Sequence, residues 1–95
     1  MHSNKLRELR NYSDPEYVMN KAKMMGLNPV HESSRKNKKY MVFDGRTMVH
    51  FGQMGYEDGT KHNDLDRINR FRKRNWKWQN SPKYSPAYLS FYLLW

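Results

Sequence analysis

The segment KYMVFDGRTMVHF, residues 39–51, constrains the fold more than any other part of the chain. It places Asp-Gly between two runs of β-branched and aromatic residues, the strongest short-range signal for an antiparallel hairpin. The pattern predicts strands over 39–43 and 46–51 joined at Asp44-Gly45. Upstream, 29–34 reads as a further strand, and RKNK supplies the turn into the second. A three-stranded antiparallel meander follows. In YMVF both faces of the middle strand are apolar, so that strand is expected to be covered on both sides rather than half exposed.

Helical signals flank the meander. Asp14-Pro15 offers an N-cap acceptor followed by the residue suited to the first helical position, and Gly26 offers a stop, which predicts a helix over 15–25. Tyr17, Val18, Ala22, Met24 and Met25 would form its core-facing stripe. Residues 1–13 carry only Leu6, Leu9 and Tyr12 at helical spacing and form either a flexible basic arm or a short helix. After the meander, Asn63 or Asp64 caps a second long helix reaching Trp76 or Trp78. At about 100° per residue, Leu65, Ile68, Phe71 and Trp76 share one arc, and Arg67, Arg70, Lys73, Arg74 and Lys77 share the opposite one. Ser85-Pro86 starts a last helix, AYLSFYLLW, apolar almost all round. At about 10 residues it falls short of the roughly 20 needed to cross a bilayer, so no membrane span is expected and the segment is core or a docking surface. The expected fold is α+β: one domain over 14–95, with the meander packed by an N-terminal helix, a basic amphipathic helix and a short apolar C-terminal helix.

Ninety-five residues suffice for one modest core. Charge then narrows the partner. Eighteen basic residues stand against nine acidic ones, a net charge of +9, which calls for a polyanion. The absence of cysteine excludes a disulfide scaffold, a thiol nucleophile and cysteine-ligated zinc, and MHSNKLRELR lacks a signal-peptide core. An intracellular setting is expected.

Two groups of residues carry chemistry. His50, Glu57, Asp58, His62, Asp64 and Asp66 lie in MVHFGQMGYEDGTKHNDLDR, and imidazole with carboxylate can bind metal or move protons. Their spacing matches no standard ligand or catalytic motif. Turn, capping and strand roles account for them better, so no catalytic residue, metal or cofactor is expected. Tyr56 to His62 reads as an ordered loop that sets the angle between sheet and basic helix, its carboxylates pairing with arginines. A metal-dependent nuclease using Glu57, Asp58, His62 and Asp64 is the enzymatic alternative.

The second group is cationic. Arg67, Arg70, Lys73, Arg74 and Lys77 recur three and four apart and would form a ridge able to contact successive phosphates. Lys36, Lys38 and Lys39, beside Arg35, offer a second contact, and Trp78, at the edge of the apolar arc, is the expected base-stacking residue. No signature of sequence-specific readout occurs. Non-specific nucleic-acid binding, with DNA as the expected partner, is the reading these residues favour. The structural alternative is docking through residues 85–95, to a second copy or to another protein.

The segments RKNKKYMVFDGRTMVHFGQMGYEDGTKH, RINRFRKRNWKW and KYSPAYLSFYLLW resemble a family of small basic proteins of giant viruses, the nucleocytoplasmic large DNA viruses, particularly the mimivirus-like ones. The most specific parts are VHFGQMGYED, TKH and the YSPAYLS ending with YLLW. The likeness spans about residues 14–95 and transfers no activity, because that family is itself uncharacterised. It implies a viral protein of the host-cell cytoplasm (the virus factory) or of the virion. Genome packaging, support of replication or transcription, and a minor capsid-associated role are the tasks it suggests.

Overall fold

Asp14 starts the first long helix as the sequence requires. Its carboxylate accepts the Tyr17 amide, Pro15 occupies the first turn, and Gly26 at φ +75° lets the chain leave the helix after Met24. The structure, a computed structural model, describes residues 4–95. In chain order the elements are α1 (Asn4–Leu9), α2 (Pro15–Met24), β1 (Val30–Glu32), β2 (Lys38–Phe43), β3 (Met48–Gln53), α3 (Gly59–His62) and α4 (Leu65–Arg74). A 3-10 turn follows over Trp76–Asn80, then α5 (Pro86–Leu89), which continues as a π-helical turn through Ser90–Leu94.

The sheet is the expected antiparallel meander in the order β1-β2-β3. Val30 lies opposite Val42, and Tyr40 opposite Phe51 with ring centroids 5.6 Å apart. At the hairpin the Asp44 carboxylate accepts the amides of Arg46 and Thr47, while the Asp44 N–H donates to the Thr47 carbonyl. This side-chain closure, with Gly45 at φ +103°, holds four residues in the turn, so β3 begins at Met48 rather than at 46. β1 is shorter than the expected 29–34.

The core gathers Leu9, Val18, Ala22, Val30, Tyr40, Val42, Phe51, Leu89, Leu93 and Leu94. Residues 4–9 are thus a short helix and no flexible arm, because Leu9 is fully buried among α2 and sheet residues; residues 1–3 lie outside the described part. The buried stripe of α2 is narrower than the sequence suggests. Val18 and Ala22 face inward, while Tyr17 and Met24 face water. The covering of β2 is also partial: Lys39, Tyr40 and Val42 are buried, Met41 is half-buried and Phe43 is exposed.

Ser85 caps α5 by accepting the Tyr88 amide, with Pro86 in the first turn. Its apolar residues are spent internally: Leu89, Phe91, Leu93 and Leu94 are all buried. Of the two expected roles of residues 85–95, core packing accounts for these four side chains, while Ala87, Tyr88, Tyr92 and Trp95 remain partly exposed. Among the described residues no helix is long and apolar enough to cross a membrane.

Candidate nucleic-acid interface

α4 is positioned by its two ends and one edge. Asp64 accepts the amides of Asp66 and Arg67 at the N-terminus, with Asn63 immediately before it at φ 50° closing α3. At the C-terminus the Asn75 amide and side chain both donate to the Phe71 carbonyl. Along the inward edge, Ile68, Phe71 and Arg72 are half-buried. Phe71 stacks on Trp95 with centroids 4.2 Å apart and planes within 10°. The Arg72 guanidinium lies 4.0 Å from the Phe91 ring centroid and donates to the Phe91 carbonyl at 3.1 Å. One arginine is therefore structural, a clamp between α4 and the C-terminal helix.

The opposite face of α4 carries Arg67, Arg70, Lys73 and Arg74, all exposed; Lys77, expected on the same helix, is exposed but lies in the 3-10 turn that follows. None of them takes part in the ion pairs formed among the described residues, which join Arg10 to Glu16 and Lys39 to Asp58. Lys77 lies 5.9 Å from the Trp76 ring centroid. Arg67, Arg70 and Arg74 line an open cleft of about 280 Å³ whose other walls are Phe71 and Trp95.

The apolar arc differs from its expected membership. Leu65 is 72% and Trp76 54% exposed, so neither packs inward. Trp78, the expected stacking residue, is half-buried and meets Phe71 edge-on at 5.7 Å. The cause is the change of winding after Asn75: a 3-10 turn advances about 120° per residue, against about 100° in the α-helix, which carries Trp78 over Phe71 and leaves Trp76 outside.

The second basic cluster does not act as one. Lys36 is exposed on a cleft shared with Lys5 and His31. Lys38 is half-buried at the rim of a different cavity, which also contains Phe71, Trp78 and Trp95. Lys39 is no phosphate contact at all. It is 2% exposed, and its ammonium donates to Asp58 Oδ2 at 3.0 Å and to the Tyr12 carbonyl at 3.3 Å. Burial pushes the Lys39 pKa down, and the facing Asp58 carboxylate opposes that shift.

Asp58 thereby accounts for the acidic loop. Its backbone N–H donates to Tyr12 O, and its second carboxylate oxygen accepts the Thr60 amide at 3.0 Å as the N-cap of α3, together with the Thr60 hydroxyl. Thr60 Oγ1 also receives the Asp14 amide and lies 3.2 Å from Ser13 Oγ, which accepts the Tyr40 hydroxyl at 2.6 Å. Tyr40 ionises less readily than an ordinary tyrosine because it is buried. The segment expected as a loop over Tyr56–His62 winds into α3 from Gly59 because Asp58 caps it, and the Asp58 carboxylate pairs with a lysine of the sheet instead of an arginine of the helix. His62 accepts the Asp64 amide through Nδ1 and sets its ring 5.3 Å from that of Trp95. His50 sits in β3 with Nδ1 2.6 Å from Ser33 Oγ. Among the described residues no three His, Asp or Glu side chains converge as metal ligands would. The grouping of Glu57, Asp58, His62 and Asp64 that a nuclease centre requires is not assembled.

The sequence reading missed Trp95 and Tyr56 as site residues. Trp95 reads as the end of an apolar run, and Tyr56 as part of a turn. Together with Phe71 and Trp78 they line an aromatic cavity of about 480 Å³ beside the arginine cleft. Residues 29–75, from the start of the sheet through α4, match the model of a family of unknown function, DUF5754. No curated protein and no solved structure matches the chain.

Proposed function

We propose that this protein binds nucleic acid without sequence preference, through the outward face of α4. One observation carries the reading: four cationic side chains on one face of α4, with Lys77 in the 3-10 turn after it, are exposed and have no acidic partner among the described residues, while the neighbouring Arg72 is spent on structure. Unpaired guanidinium groups spaced along a helix suit successive phosphates, and each contact releases condensed counterions. Lys36 and Lys38 extend the positive surface at lower density. A role in packaging a genome or supporting its replication or transcription fits this chemistry, as does the resemblance to small basic proteins of giant viruses.

Binding to duplex and single-stranded DNA across a salt series tests the proposal. Five phosphate contacts give a log-log slope of about −4.5 on duplex. Reversing Arg70 and Arg74 to glutamate should flatten the slope and weaken binding at low salt with the thermal transition unchanged. Absence of binding at low salt would overturn the proposal.

A further inference from the structure

Phe71 and Trp95 are walls of two spaces at once. On one side is the open cleft of about 280 Å³ lined by Arg67, Arg70 and Arg74. The other space is the cavity of about 480 Å³, lined by Phe51, Tyr56 and Trp78 together with Lys38, Glu57 and the buried Lys39–Asp58 pair. A volume of this size is typical of small-ligand sites, and an apolar, aromatic lining with a few polar groups at the mouth is their usual composition. The lining is unusual here because it adjoins a row of three unpaired guanidinium groups. A ligand spanning both spaces needs a flat apolar body and anionic groups attached to it, which is the chemistry of a nucleotide within a strand.

We infer that the aromatic cavity receives an unpaired nucleobase while the phosphates flanking it lie on Arg67, Arg70 and Arg74. This rests on the nucleic-acid reading of α4 and adds a consequence that a cationic ridge alone does not have: the protein prefers strands whose bases are free. In a duplex each base is stacked and paired, and drawing one out costs free energy, whereas a single strand or a frayed end offers bases at little cost. Stacking on aromatic side chains tolerates any base, so the preference is for strand state and not for sequence. Lys38 and Glu57 at the rim can hydrogen-bond a base edge, one as donor and the other as acceptor. Tyr56, largely exposed at the mouth, is placed to cover an inserted base.

The test compares three labelled probes of equal length on the full chain at several salt concentrations: a single strand, the same backbone with abasic sites in place of the bases, and the duplex. The single strand should bind about tenfold more tightly than the abasic backbone, the factor that one well-stacked base supplies. Ala87→Trp fills the cavity from α5 and should bring that ratio toward one, and Tyr56→Ala, at an exposed position, should lower it in a protein whose fold is not in question. Equal, salt-sensitive binding of all three probes would overturn the cavity inference and leave the cationic ridge standing. Failure of all three to bind would overturn both. A ratio unchanged in both variants would show that the bases are recognised elsewhere and would also overturn it.

Discussion

The Lys39 ammonium and the Asp58 carboxylate face each other at 3.0 Å with both side chains out of water, nineteen positions apart in the chain. The pair ties β2 to the loop that leads into α4, and Tyr12 O receives hydrogen bonds from both residues. Removing one partner leaves a buried charge uncompensated, which costs about 3–5 kcal/mol. Lys39→Met and Asp58→Leu should each lower the unfolding free energy read from urea denaturation by much of a small domain's stability, about 5 kcal/mol at the low end. The double variant should recover part of the loss, because two apolar side chains leave no unpaired charge while the Thr60 amide and hydroxyl still lose their acceptor. Additive losses in the double variant would show that the two residues act separately.

The arginines of α4 divide into one that holds the helix and others that face solvent. Arg72→Ala forfeits a charge-assisted hydrogen bond to Phe91 O and the contact with the Phe91 ring, together worth about 2 kcal/mol. Arg72→Lys should restore less than half, since a lysine has no planar group to lie on the ring. Arg70→Ala and Arg74→Ala, on the exposed face, should stay within about 0.5 kcal/mol of the parent. Chemical denaturation of the four variants checks the division.

Gly59 sits where a side chain has no room. A Cβ there would lie 2.9 Å from the Leu94 carbonyl oxygen and 3.0 Å from Ile68 Cγ1. The first of these is backbone and yields little, so Gly59→Ala should cost about 1–3 kcal/mol and disturb the seat of α4 on the C-terminal helix. Gly26 is the contrasting case. It has φ +75° but nothing within 4 Å of a Cβ, and Gly26→Asn should be tolerated because asparagine accepts left-handed backbone. Thermal unfolding of the two variants should separate them clearly.

His50 should make stability sensitive to mild acid. Burial, reinforced by Arg35, Lys5 and Lys38, holds its pKa below the ordinary 6.5. Just below that value the unfolded chain binds a proton that the folded chain refuses. The stability associated with the neutral ring is therefore present above 6.5 and is lost as the pH falls through this window toward the folded-state pKa. His50→Asn, which can keep a hydrogen bond to Ser33, should flatten the stability profile as the pH falls below the ordinary histidine value of 6.5, as read by denaturation at fixed ionic strength.

Elements whose determinants are local were legible in the sequence. Asp14 before Pro15, Asp44 before Gly45 and Asp64 at the start of α4 each act on amides two or three residues away, and each does so in the structure. The exposed cationic face was legible for Arg67, Arg70, Lys73 and Arg74, which repeat with the helix period, but not for Lys77, which falls in the 3-10 turn. What was not legible depends on distant partners. Lys39, inside β2, is buried because the fold brings Asp58 and Tyr12 to it, whereas Lys36, in the turn before the strand, stays exposed. Arg72 reads as polar on a helical projection, yet the ring and carbonyl of Phe91 turn it inward. The exchange of roles between Trp76 and Trp78 follows from a local change of winding that hydrophobic periodicity does not report.

α4 contributes no buried residue of its own; Ile68, Phe71 and Arg72 touch the body only along one edge. The element that carries the charge is thus held by half-buried side chains alone, and it should open at a lower free energy than the central strand. Occupancy of its outer face would then be written into the chain's own amides. Hydrogen exchange along residues 65–74 should slow when a polyanion is bound, and Tyr40 and Val42, which exchange through opening of the whole fold, should slow as well because binding stabilises the folded chain.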